Sequence, residues 1–297
     1  MLNHYLLVIG CDGIRSRVRQ LILGEHNPES YPSYTNKYAF RGLIPMDKAE
    51  AALGKAKVET RHMYLGPDGH ALTFPVAGGK LLNVVAFTTD LNEWPDKDKF
   101  TLPARKADAV EAFAHFNPIV RNIIDLLPDE LDKWAIFDTY EHPASTFIKG
   151  RLSLCGDAAH AAAPYHGAGA GFAIEDGAVL AHLLQNAQRV ASTSEQGKAS
   201  VLRDTLTSYN TIRFERSLWL VETSRFVGQM YEWQNADIGR DCLKVAREIE
   251  WRCNEIWDYD IGAMLAKSEE VCGQGSRQKR DLKGTTGFDM DLFACSG

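Results

Sequence analysis

The sequence predicts a mixed α/β (α+β) protein, in which an antiparallel sheet interrupts a parallel strand–helix portion and helices follow at the C-terminal end. Three observations predict it. Two apolar runs, Leu6 to Cys11 and Leu152 to Cys155, each stop at a tight Asp/Gly turn that leads into a helical pattern, as strands buried on both faces do. Between them lie four runs of strand periodicity, Tyr38 to Ile44, Val58 to Leu65, Ala71 to Val76 and Leu82 to Thr88, with turn signals at Gly66-Pro67-Asp68-Gly69 and Gly78-Gly79. Beyond Leu184, apolar residues recur at helical spacing as far as Trp257.

Taken in order, Asp12-Gly13 turns the chain after the first strand, and Ser16 caps a helix over Arg17 to Leu23. Arg15, Arg17 and Arg19 sit where that helix opens, and for Arg17 and Arg19 a solvated position is expected. Asn92 to Phe100 is polar and contains Pro95, which marks a surface loop. Leu102 to His115 reads as a helix with Pro103 in its first turn, and Ile119 to Leu127 as a shorter one. Trp134 to Tyr140 returns to the sheet as a strand. Val201 to Tyr231 forms one long helix or two, and Leu243, Ala246, Ile249, Cys253, Ile256 and Trp257 mark another. From Gly273 the chain is polar and reads as a flexible tail. The expected divisions are 1–33 with 143–190, then 34–142 for the inserted sheet, 191–272 for the C-terminal helices, and 273–297 for the tail.

Bulk numbers exclude several classes of function. Lys and Arg total 33 against 39 Asp and Glu, a net charge of −6 with no dense basic run, which argues against a nucleic-acid partner. No apolar stretch is long enough to span a membrane, and the start is not a signal peptide. None of the six cysteines forms C-x-x-C. Cys11 and Cys155 end strands and read as small core residues, so a reducing, cytoplasmic setting is expected. The histidines show no metal-ligand spacing, and no metal site is expected.

The chemistry concentrates in Arg151 to Leu184, RLSLCGDAAHAAAPYHGAGAGFAIEDGAVLAHLL. A buried strand stops at Gly156-Asp157, and a loop of small residues leads to a helix from about Gly171. Gly167-Ala168-Gly169-Ala170-Gly171 leaves almost no side chain at the helix entrance. A ligand can touch backbone N–H groups there, and the helix dipole favours negative charge. Asp157 offers a carboxylate to a hydroxyl-bearing ligand. A packing corner would explain one glycine, but not Asp157, His160, Pro164 and three alternating glycines together.

This stretch resembles the GD motif of the flavin-dependent aromatic hydroxylases, the group that includes salicylate hydroxylase. IGCDGIRSRVRQLILG resembles their DG motif. The likeness implies a truncated Rossmann-like FAD-binding domain with an inserted substrate-binding sheet. It puts Asp157 at the ribityl chain of FAD and the Gly169-Ala170 backbone beside the flavin ring. Asp12 and Arg15 would lie near the pyrophosphate and the path of NAD(P)H. YAFRGLIPMDKA, MYLGPDGHALTFPV and LLNVVAF resemble fungal phenol-hydroxylating and dearomatising enzymes of polyketide pathways, in which Arg41 and Tyr64 would hold a small phenolic substrate. On residue pattern alone, Arg41 reads equally as an ion-paired or edge residue, and Tyr64 as a half-buried strand aromatic.

The sequence departs from the family in one respect. No G-x-G-x-x-G occurs, so the unit that would grip adenosine and pyrophosphate is missing. The first strand therefore carries a bare apolar edge. Two expectations follow. One is an FAD- and NAD(P)H-dependent monooxygenase of a phenol; the other is a non-catalytic remnant or split-enzyme half. A homo-oligomeric partner or a complementing N-terminal fragment would cover the edge.

Overall fold

The computed structural model describes residues 7–96, 99–193 and 198–284. In chain order the strands are β1 (Val8–Gly10), β2 (Ser33–Pro45), β3 (His62–Gly66), β4 (Gly69–Val76), β5 (Leu81–Thr89), β6 (Thr101–Arg105), β7 (Glu130–Asp138), β8 (Ile148–Lys149) and β9 (Leu152–Leu154). The helices are α1 (Arg17–Leu23), α2 (Met46–Leu53), α3 (Lys106–Ala112), α4 (Pro118–Asp125), α5 (Asp157–His160), α6 (Gly169–Thr193), α7 (Lys198–Tyr231), α8 (Cys242–Trp257) and α9 (Ile261–Gly284).

A small sheet runs β1-β9-β8, with β1 and β9 parallel and Gly10 opposite Leu154. A six-stranded antiparallel sheet runs β3-β4-β5-β2-β7-β6. The fold class read from the sequence is the one observed: helices with a mixed pair of sheets, and the antiparallel one inserted between β1 and β9.

Apolar layers among the described residues hold these parts. Phe40, Ala71, Leu82, Val84 and Ala86 on one face of the large sheet pack against α3 and α4 through Phe113, Ile123 and Leu127. Ala39, Val85, Phe87 and Ile136 on its other face meet Tyr165, Val227 and Met230. The small sheet packs between α1, α5 and α6 through Leu154, Ile22, Ala158 and Val179, with Tyr209 of α7 closing the layer. The alternation along β2, with Ala39 on one face and Phe40 on the other, is the period-two pattern of a sheet buried on both sides.

Several expectations need correction. Thr101–Arg105 is a strand, and the helix begins only at Lys106. Pro103 is tolerated because β6 is the edge strand, where a missing N–H costs no ladder bond. The strand expected from Val58 starts at His62, after a 3-10 turn over Lys55–Lys57. α9 continues to Gly284, so Gly273 does not begin a tail: Gln, Arg and Lys are good helix formers. The remainder of that tail, 285–297, lies outside the described residues, as does Leu6 of the first apolar run.

Candidate active site

β9 ends at Leu154, two residues before Gly156, whose φ of +63° is open to glycine at little cost. That turn delivers Asp157 to the first position of α5, exposed to solvent. The chain then passes through a 3-10 turn at Pro164–His166 and a left-handed Gly167 before α6 opens at Gly169, two residues earlier than expected. A Cβ built on Gly169 would stand 3.9 Å from Asp157 Oδ1. The carboxylate and the first turn of α6 are therefore two walls of one corner. Ala170 is exposed and no acidic residue occupies that first turn, so the helix N-terminus keeps its affinity for negative charge.

A buried ionic frame fixes the corner. Asp176 Oδ2 accepts from Gly156 N at 2.8 Å and from His160 Nε2 at 2.7 Å, while Oδ1 accepts from Arg213 Nε at 2.7 Å. Burial alone would raise the Asp176 pKa, but His160, Arg213 and the Gly156 N–H outweigh it and hold it below the usual carboxylate range. Arg19 is fully buried rather than solvated, because its guanidinium donates to Ala158 O at 3.1 Å and Ala159 O at 2.7 Å. It clamps α5 from beneath, and burial lowers its pKa to about 10. Arg17 is exposed and paired with Glu25, as expected.

Asp12 and Arg15 lie at the neighbouring strand end. Asp12 accepts from Ser16 Oγ at 2.5 Å and from the N–H groups of Arg17 at 2.7 Å and Val18 at 3.1 Å. Its carboxylate thus caps α1 and opposes the helix dipole. The Arg15 guanidinium lies 4.0 Å over the Phe100 ring, at a groove of about 750 Å³ that Tyr34, Trp94 and Phe137 also line.

On the far side of the Pro164 turn is a cavity of about 260 Å³ under the large sheet, lined by Arg41, Met63, His70, Phe74, Trp134, Pro164 and Tyr165, among others. A dry cavity of ~150 Å³ admits benzene, so this one suits a single substituted ring. Arg41 is solvent-accessible, 4.9 Å over Trp134, with no carboxylate partner among the described residues.

Tyr64 does not join it. Tyr64 pairs with Ala71 and packs on the α3/α4 face of the sheet, whereas its neighbour Met63 reaches the cavity. Adjacent strand residues point to opposite faces, so Arg41 and Tyr64 cannot act on one ligand.

His70 was missed by sequence reasoning. Its Nδ1 meets Glu232 Oε1 at 3.1 Å, and Glu232 also pairs with Lys37 and accepts from Thr89 Oγ1 at 3.3 Å. All three ionisable groups are buried. Burial lowers the His70 pKa and Lys37 lowers it further, outweighing Glu232, so the imidazole stays neutral. A histidine inside HALTFPV, in step with Leu72 and Phe74 on the cavity face, was the available signal.

Comparison with known proteins bears on this geometry. The family described as FAD binding domain matches residues 4–216. The chain belongs to that family. It is 64% identical over 271 residues to a dual trans-enoyl reductase/FAD-dependent monooxygenase of Aspergillus terreus, covering 89% of this chain and 39% of that one. An FAD-dependent monooxygenase of Monascus ruber is 59% identical over 263 residues, covering 89% of this chain and 60% of that one. A salicylate hydroxylase solved as a substrate complex superposes with a TM-score of 0.78 at 32% identity, over 89% of this chain and 64% of that one. CtdE, solved with FAD and substrate, shares the fold at a TM-score of 0.72 and 23% identity, over 91% of this chain and 64% of that one. The chain thus spans 39–60% of the length of the two fungal relatives.

FAD is the cofactor of the family. The corner is open, lies at a helix N-terminus with no acidic residue in its first turn, and carries one exposed carboxylate, a donor set that fits a group bearing both negative charge and hydroxyls. No described helix is long and apolar enough to cross a membrane. Among the described residues no cluster of His, Cys, Asp or Glu is arranged to hold a metal ion.

Proposed function

We propose that the chain is the flavin-ring and substrate-holding part of an FAD-dependent monooxygenase that hydroxylates a phenol in fungal secondary metabolism, in a polyketide pathway, using NAD(P)H and O₂. The observation that carries this reading is one turn with two faces. Pro164 and Tyr165 wall the cavity, and within five residues Gly169 and Ala170 form the corner with Asp157. Bound at the corner, FAD would supply oxygen activation after reduction by NAD(P)H.

Asp157 would hold ribityl hydroxyls, and the Gly169 and Ala170 N–H groups would stabilise negative charge on the flavin ring. Arg41 stabilises a phenolate, the more electron-rich and reactive ring. His70, kept neutral by burial, lines the cavity beside Arg41 and would accept a hydrogen bond from the substrate hydroxyl, while Arg41 favours the phenolate once the proton has left to solvent. Asp12 caps α1 and, with Arg15, would lie near the FAD pyrophosphate and the path of NAD(P)H.

A phenol whose ionised form absorbs visibly, such as 4-nitrophenol, tests the reading. Wild type should bind it as phenolate below its solution pKa. Arg41→Gln should bind it at least tenfold more weakly, and His70→Gln should also bind it more weakly than wild type. Phenol binding that is unchanged by Arg41→Gln would contradict the assignment.

A second reading rests on the β1 edge. β1 pairs with β9 alone among the described strands, and Ile9 is 37% exposed. An exposed edge is a template for another strand. On this reading the chain acts with a second copy or a complementing fragment that supplies the adenine end of the cofactor site. Sedimentation with and without FAD distinguishes a monomer from an assembly.

A further inference from the structure

We propose that Cys11 and Cys155 are a peroxide-sensitive dithiol that closes to a reversible disulfide and ties the Asp12 loop to the Asp157 loop. The two cysteines follow in-register partners of a parallel pair, Gly10 opposite Leu154, and Cys155 N donates to Gly10 O at 3.0 Å. Adjacent strands lie about 4.8 Å apart. Disulfides span Cα separations of about 4.4–6.8 Å, a range that includes this strand spacing. Side chains at matched positions of a parallel pair point to the same face.

The pair is asymmetric in a useful way. Cys11 is exposed and meets an oxidant first. Cys155 is 9% exposed, with its Sγ 3.9 Å from Ala173 O, and waits behind it. The two thiols perturb one another: burial, the Asp176 carboxylate and the Cys11 thiol together raise the Cys155 pKa. The oxidant is hydrogen peroxide. Cys11 thiolate displaces hydroxide from it to give a sulfenic acid, and Cys155 sulfur then displaces water to form the S–S bond. In sum, two thiols and one peroxide give one disulfide and two waters. Each cysteine directly precedes a residue of the cofactor loops, Asp12 on one strand and Gly156-Asp157 on the other. The cross-link therefore fixes the spacing of the two loops. Its formation does not depend on the flavin reading; only its effect on a cofactor does.

Wild-type protein treated with limited peroxide and digested should yield a peptide pair joined through Cys11 and Cys155. Of the six cysteines, two should become unreactive to a thiol reagent and return after reduction. Cys155→Ser should leave Cys11 as a sulfenic acid trapped by dimedone, and Cys11→Ser should leave Cys155 reduced. Dimers linked through Cys11, a Cys11 sulfinic acid without cross-link in wild type, or equal oxidation of Cys155 in Cys11→Ser would each overturn the proposal. The wild-type digest decides the matter even if a serine variant fails to fold. A cross-link in protein that binds no FAD would uphold this inference while removing the flavin reading.

Discussion

The corner at Asp157 and the cavity at Arg41 are built by opposite means. The corner is made of backbone, shaped by small residues, and its one functional side chain is exposed. The cavity is made of side chains from five strands and a turn, and its buried polar member, His70, is locked to Glu232 and through it to Lys37. Each stands on a buried carboxylate, Asp176 beneath the corner and Glu232 beneath the cavity. In both cases burial pushes the carboxylate pKa up and cationic or N–H partners bring it below its ordinary value. The difference teaches where mutation separates folding from function: the frame is costly to touch, while the working groups above it are not.

The largest effects should come from the two carboxylates. Asp176→Ala leaves the buried Arg213 guanidinium with Glu175 as its one carboxylate and orphans the Gly156 N–H and His160, and Glu232→Ala leaves the buried Lys37 ammonium without its carboxylate, so each should lose about 3–5 kcal/mol in urea unfolding. If the regions are independent, Asp176→Ala should impair FAD binding first and Glu232→Ala phenol binding first, in protein still folded at low temperature. Equal loss of both ligands in both variants would break the comparison.

Arg41→Gln comes next. A hydrogen bond to a charged group contributes about 1.5–3 kcal/mol, so phenolate affinity should fall by roughly ten- to a hundredfold. An exposed site without a paired carboxylate should change stability by no more than about 0.5 kcal/mol. A large loss of stability would show that Arg41 belongs to the frame.

His166 sits on the turn between the regions, its Nε2 3.3 Å from Thr223 Oγ1. Burial lowers its pKa from 6.5 to about 4, against the Thr223 bond and with help from Arg252. Between those values the unfolded chain binds more protons than the folded one, so stability falls as pH drops from 6.5 toward 4. His166→Gln should flatten that part of the pH–stability profile relative to wild type. An unchanged slope would mean that His166 titrates normally.

The same contrast explains what the sequence revealed. A backbone corner needs glycines and an aspartate at fixed local spacing, so Gly156-Asp157 and Gly167 to Gly171 were readable in one stretch. Ser16 and α1 were readable for the same reason. Arg19 was not: its acceptors, Ala158 and Ala159, lie on a distant segment. Tyr64 and His70 show the limit more sharply. Both lie in MYLGPDGH, but a strand's two faces differ by a single residue of register. Whether Met63 or Tyr64 points to the cavity is decided by pairing with Leu72 and Ala71. The partner that anchors His70, Glu232, comes just after a helix of 34 residues whose apolar face gives no hint of it.

Flavin fluorescence during FAD titration tests the central claim most directly, with wild type beside Asp157→Ala and Gly169→Leu. The Cβ at position 169 meets only ordinary contact, so the leucine variant should fold and fill the corner with its side chain. Wild type should quench the flavin saturably, Asp157→Ala should bind at least tenfold more weakly, and Gly169→Leu should not bind measurably. Equal titration curves for all three folded proteins would contradict the account.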